Sequence, residues 1–302
     1  MTVLASCSLG NDPKPSPKLD TELVNAAHSA QRAFATGQYQ TAAAQYRLAL
    51  QRARVMDDAG AIGNQAYNLA LSLIALDRLS EAQTLLDEAE QALARAGAPL
   101  ADVWLARAKL TYLMIGRDEA NPTELERLLR QLLDDPRSRL TDLHRAQVAV
   151  LRADLAGDRG DIASAAAQWA ESRKYAATEP ALSTVQAQIA RVNGRILLLC
   201  GEPAQAARQF DEESRIMRLN RLYRDMAKAL SRSGAAYQRA ELPELAIARF
   251  YRAASSWLGQ ERPTEMERDL AAAEQLADTL NDPVWQRRLA ALRGETVGQS
   301  EP

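Results

Sequence analysis

Two histidines and two cysteines are the only nitrogen and sulfur ligands of the metal-binding type in the 302-residue chain. His28 and His144 stand far apart, and neither has a second histidine or cysteine at ligand spacing. Zinc sites need such groups clustered, so no metal site is expected. Cys200 closes the apolar run Leu197–Leu199 and reads as a buried structural thiol, because a nucleophilic cysteine needs a base beside it. The chain has no glycine-rich phosphate loop and no Gly-x-Ser-x-Gly elbow. Its carboxylates are spread over polar stretches, so no acid/base pair stands out. These residue types point away from catalysis and cofactors. They point toward recognition by Asn, Tyr and Arg side chains, which must be placed by the elements that carry them.

Net charge is −2 and the isoelectric point is near 5.9. A nucleic-acid protein carries a basic footprint, and this chain has none. No apolar run is long enough to span a bilayer. Alanine and leucine dominate, and no run of β-branched residues reads as a strand, which makes the composition all-α.

One skeleton recurs. In Gly37–Leu50 a turn residue is followed by Ala42, Tyr46 and Ala49, which fall on one helix face as small, large, small. The set returns as Ala82, Leu86, Ala89; as Ala165, Trp169, Ser172; as Ala206, Phe210, Glu213; and as Ala246, Phe250, Ala253. Successive starts lie 40, 83, 41 and 40 residues apart, and Leu125, Leu129 and Leu132 fill the double interval. Seven residues before each turn stands a small residue: Ala30, Ala70, Ala153, Gly194 or Gly234. Each unit is therefore a helix A, a tight turn and a helix B. Such a pair buries its apolar face only by stacking on copies of itself.

The pattern resembles the tetratricopeptide repeat. Gly234, Tyr237, Ala246, Phe250 and Ala253 match the family closely, and Tyr39, Ala42, Tyr46 and Ala49 match its second half. The period near 40 exceeds the family's 34, so longer helices or longer B-to-A links are expected. The resemblance implies a right-handed α-solenoid over residues 19–294. About six hairpins are followed by a capping pair, 264–280 and 284–292, whose set Gln286, Ala290, Arg293 is polar. A disordered tail is expected over 295–302. Within the units, Thr123 is placed to cap the helix after the expanded turn 116–122, and 204–220 runs into 222–239 without a clear breaker.

The resemblance also implies that the A helices line a concave groove holding a protein or peptide segment. Repeat phase puts Asn64, Tyr67 and Asn68 there, then Arg191 and Arg195, then Lys228 and Arg232. Asn68 takes a place that in the family often bonds peptide backbone, and arginine suits carboxylates. The family's two-carboxylate clamp is not reproduced, since Ala27 and Gln31 stand where Lys and Asn would be needed. Arg215, Arg218, Arg221 and Arg224 recur every third position, drifting roughly 60° per step around a helix. They read as a solvated face, with Asp211 pairing Arg215 and Asp225 pairing Arg221. The other reading is a basic stripe for an acidic partner or lipid headgroups.

The first 18 residues differ. Ser8–Lys18 carries three prolines and reads as a tether. Before it, Leu4-Ala5-Ser6-Cys7 resembles a bacterial lipobox, although only Met1-Thr2-Val3 precedes it. That resemblance implies lipidation at Cys7 and a place on the periplasmic face of the outer membrane. The expected function is a non-catalytic scaffold, anchored to a membrane, that holds a partner segment. The alternatives are a cytoplasmic repeat module that binds a peptide or partner, and a periplasmic small-ligand or transporter-accessory protein.

Overall fold

A computed structural model of the chain describes residues 20–181 and 183–298. The lipobox, Cys7 and the tether over 1–18 lie outside the described residues, as does the end of the tail. The described residues form fourteen α-helices and no strand. They pair as hairpins: α1 (Thr21–Ala35) with α2 (Tyr39–Val55), α3 (Ala59–Ala75) with α4 (Leu79–Arg95), and α5 (Ala101–Ile115) with α6 (Pro122–Asp134). Then come α7 (Asp142–Asp158) with α8 (Ile162–Tyr175), α9 (Thr184–Leu199) with α10 (Pro203–Leu219), α11 (Tyr223–Arg239) with α12 (Pro243–Leu258), and α13 (Pro263–Leu280) with α14 (Pro283–Gly298). Successive helices pack on one another throughout, which makes the chain an α-solenoid of helical hairpins. The last helix runs to Gly298, into the stretch expected as a tail.

The long period lies in the helices. α2, α3, α4, α7, α10 and α11 are each 17 residues long. The link from α2 to α3 has three residues, as short as the links within the first, second, fourth, fifth and sixth hairpins. Most links end their helix in the same way. In the first, Gly37 takes φ +77°, its N–H donates to Phe34 C=O at 3.0 Å, and the Gln38 N–H donates to Ala33 C=O at 2.9 Å. This left-handed cap satisfies carbonyls that the helix end leaves open. The link after α10 is built alike, with Arg221 at φ +59° and the Leu222 N–H on Met217 C=O at 2.9 Å. A breaker therefore does separate α10 from α11. It was hidden because arginine stands where a glycine would announce the turn. At α6 the cap is Asn121, whose Oδ1 accepts from the Thr123 N–H at 2.8 Å, two residues earlier than the sequence reading places it. Pro122, at the first helical position, has no N–H to satisfy, so a cap at Asn121 leaves one orphan donor fewer.

The small and large residues of most units are buried as the periodicity predicts, while Trp169 of the fourth is only half-buried. Ala42, Ala49, Ala82, Leu86, Ala89, Ala206, Phe210, Ala246 and Ala253 are all buried. A Cβ added to Gly194 would lie 2.6 Å from Phe210, and one added to Gly234 would lie 2.9 Å from Phe250. Glycine on helix A is what lets helix B press an aromatic ring against its backbone. In the last hairpin Gln286 and Ala290 are exposed, as a terminal unit requires.

The A helices lie on the inside of the curve. α3 packs on α5, α5 on α7 and α7 on α9. Arg195 of α9 reaches past α7 to donate to the Tyr112 hydroxyl of α5 at 3.1 Å. The curl brings the chain back on itself: Arg224, at the start of α11, donates to the Ala75 carbonyl at the end of α3, 149 residues away.

Candidate functional site

The inner face carries two kinds of polar residue. From α5 to α11 they form a ladder of opposite charges. Asp154 of α7 is 2 % exposed and accepts both Arg191 guanidinium nitrogens, at 2.9 and 2.5 Å, and Arg195 Nη1 at 2.5 Å. Arg195 also donates to Asp158, and the Tyr112 hydroxyl donates to Asp158 at 2.8 Å. Burial works against the Arg195 charge, but Asp154, Tyr112 and Asp158 outweigh it and hold the guanidinium above its ordinary range. Further along, Arg232 donates to buried Glu213 at 2.7 Å. Burial pushes the Glu213 carboxyl up, against the pull of Arg232 and Arg191. Lys228 lies 3.8 Å from Asp225, and burial lowers its ammonium below the usual lysine range.

The arginines expected to meet a partner's carboxylates are thus spent on the protein's own. Repeat phase singled out Arg191, Arg195 and Arg232, each of which the structure pairs with a carboxylate of the chain. It gave no sign of Asp154 and Glu213, which arrive from a neighbouring hairpin or from helix B. Glu213 in particular sits in a small-residue place of its repeat, where its length lets it reach α11.

The second kind of residue lies on α3 and α5. Asn64 is exposed, while Tyr67 and Asn68 are half-buried. None of these three side chains makes a hydrogen bond or ion pair with the other described residues. Beside them on α5 is Lys109, which the sequence reading did not single out. It is half-buried, forms no ion pair within 4.0 Å among the described residues, and is lowered to about 8 by burial, against the pull of Asp102. Asp102 also acts on Tyr67, whose phenol is raised mainly by burial, so hydroxyl and ammonium share one carboxylate's field. The signal for Lys109 was present. It stands two residues before Thr111, as Asn68 stands two before Ala70, and the third unit's degenerate helix A obscured the register.

Asp102 itself is held from α7. The Thr141 N–H donates to His144 Nδ1 at 3.2 Å, which leaves Nε2 to donate to Asp102 at 3.1 Å. That bond keeps the Asp102 carboxyl below its ordinary range, against burial. A hydroxyl, an imidazole and a carboxylate in series also occur in hydrolases. Here Thr141 is the N-cap of α7, its oxygen accepts the His144 N–H at 3.3 Å, and the chain serves to lock α7 onto α5. Among the described residues no group of three His, Cys, Asp or Glu side chains is placed to hold a metal ion.

Two further expectations fail. Cys200 is exposed, because it falls on the C-cap of α9 where the side chain turns outward. The arginine stripe does not pair as predicted. Arg215 takes Glu212 at 2.6 Å, Asp211 takes Arg249 at 2.9 Å, and Asp225 faces Lys228. The break at Arg221 separates Arg215 and Arg218 from Arg221 and Arg224, so no i,i+4 register connects Arg221 to Asp225.

No family model matches the chain, and no curated protein matches its sequence.

Proposed function

We propose that the chain is a non-catalytic scaffold of the tetratricopeptide type that holds a protein segment against the inner face of α3 and α5. The observation that carries this reading is the set Asn64, Tyr67, Asn68 and Lys109, four polar side chains on two successive A helices that make no hydrogen bond or ion pair with the other described residues. Asn and Tyr are suited to main-chain and side-chain hydrogen bonds of an extended segment, and a crowded ammonium gains most from a carboxylate or carbonyl. The ladder from α7 to α11 supports the same reading from the other side, because it keeps the scaffold rigid while offering no free charge. Anchoring through a lipid on Cys7, in an envelope complex, is part of the proposal.

A photo-crosslinking residue placed at Asn64 in the full chain, expressed in its own host, tests the groove. The expected result is one discrete adduct that disappears with Lys109→Glu. Equal labelling from the outer position Arg127, or no adduct at Asn64, would remove the groove as the binding face. Fatty-acid labelling of the gene with its native upstream region, compared with Cys7→Ala, tests the anchor. Label on Cys7→Ala, or on neither protein, would refute it and leave the cytoplasmic alternative.

A further inference from the structure

Where the curl closes, the first two hairpins meet the last three edge to edge. The seam holds a cavity of about 550 Å³. Its walls are the α1–α2 link with the first turn of α2 (36–41), the end of α3 (75–76), the link into α11 with its first turn (221–224), and the link into α13 (259–262).

Three guanidinium groups line this cavity, those of Arg221, Arg224 and Arg262, against one carboxylate, that of Glu261. Arg262 is occupied by Glu265. Arg221 and Arg224 have no carboxylate within 4.0 Å among the described residues. Arg224 spends one nitrogen on the Ala75 carbonyl, and its Nε is buried with no hydrogen-bond partner. An unpaired guanidinium nitrogen shut away from water is costly, and an anion beside it removes the cost.

The backbone adds to the same field. The N-caps of α2 and α11 are Gln38 and Leu222, and neither side chain closes its helix. The N–H groups of Gln40, Thr41 and Arg224 belong to first turns and have no intrahelical acceptor. Two positive helix ends therefore converge on a cavity already rich in guanidinium. Arg221 takes φ +59° in its link, as Asp57 and Glu261 take positive φ in theirs, and glycine adopts this conformation without cost.

We propose that the seam cavity binds a phosphate group, either inorganic phosphate or the monoester of a small molecule, between Arg221, Arg224 and the starts of α2 and α11. Bound there, the anion bridges hairpin one to hairpin six and holds the curl closed.

Titration calorimetry on the full chain, with inorganic phosphate and with ribose 5-phosphate at constant ionic strength, tests this. Saturable one-to-one binding is expected, weakened about tenfold or more in Arg221→Gly and in Arg224→Gln by loss of a charge-assisted hydrogen bond. Arg221→Gly is the decisive variant, because glycine suits the turn and the protein should melt no lower than wild type without ligand. A higher affinity for ribose 5-phosphate assigns the site to a small ester, and equal affinities assign it to phosphate itself. No saturable binding of either probe, affinity unchanged in Arg221→Gly, or binding confined to a phosphopeptide would overturn the proposal.

Discussion

The first half of the solenoid and the second are built on one skeleton but solve packing differently. From α1 to α6 the core is alanine and leucine, with buried polar side chains limited to neutral Gln65, Ser72 and Thr111. Every buried carboxylate lies later: Asp154, Glu213 and Asp269. The helix-A small residue is alanine at Ala30, Ala70 and Ala153 and glycine at Gly194 and Gly234. The second half sets Phe210 and Phe250 against the bare backbone of Gly194 and Gly234, as the first half sets Leu93 against Gly63, and it alone ties buried carboxylates into ion pairs. The first half leaves Asn64, Tyr67, Asn68 and Lys109 without a hydrogen bond or ion pair to the other described residues, while its Tyr112 and Asp102 are bonded to or from α7 and α9. The same repeat thus carries two kinds of inner face, one tied by ion pairs and one with unpaired polar side chains, and the difference rests on a few residues per unit.

The sharpest way to break this contrast is to remove the keystone of the ladder. Asp154→Ala strands Arg191 and Arg195 without their shared carboxylate, and losing one partner of a buried pair costs about 3–5 kcal/mol. A urea unfolding midpoint close to wild type would mean that the ladder contributes little. A smaller effect is expected from Gly194→Ala, whose new Cβ meets Phe210 at 2.6 Å. Overpacking of this kind costs about 1–3 kcal/mol. The reciprocal change Ala70→Gly, in the first half, should cost only about 1 kcal/mol, chiefly through helix propensity. If Gly194→Ala proves as mild as Ala70→Gly, the close approach of Phe210 to Gly194 is not a constraint.

The skeleton was legible because burial imposes it. Ala42, Tyr46 and Ala49 must share a face whatever surrounds them, and their spacing records that directly. Turns were legible where glycine marked them and hidden where Arg221 took the left-handed conformation, since an arginine at φ +59° has no signature in sequence. The inner face was legible in position but not in state. Repeat phase put Arg191 inside. Whether it is free depends on Asp154, 37 residues earlier, and no local pattern links the two. Lys109 was missed for the opposite reason, because its unit departs from the repeat that would have located it. Arg224 was picked out as one of a basic series, but its partner on α3 was beyond the reach of sequence reading, since only the curl of the whole chain brings it near.

The most delicate prediction concerns Lys109, where the face with unpaired polar side chains shows its cost. Its folded pKa of about 8 lies below the lysine reference near 10.4. Between those values the unfolded chain binds a proton that the folded chain has released. Stability must therefore rise with pH across that window, and the full penalty is felt below it. Solvent still reaches the ammonium through the open face, so the penalty at neutral pH is set at about 1 kcal/mol after discounting for that access. Lys109→Met should raise stability at pH 7 by that amount and flatten the rise between pH 8 and 10.5. The same substitution should abolish crosslinking from Asn64. A variant that is more stable yet still crosslinks would separate the two roles and leave Lys109 a packing compromise. One that loses both stability and crosslinking would show that its charge is answered within the fold, making the two halves alike after all.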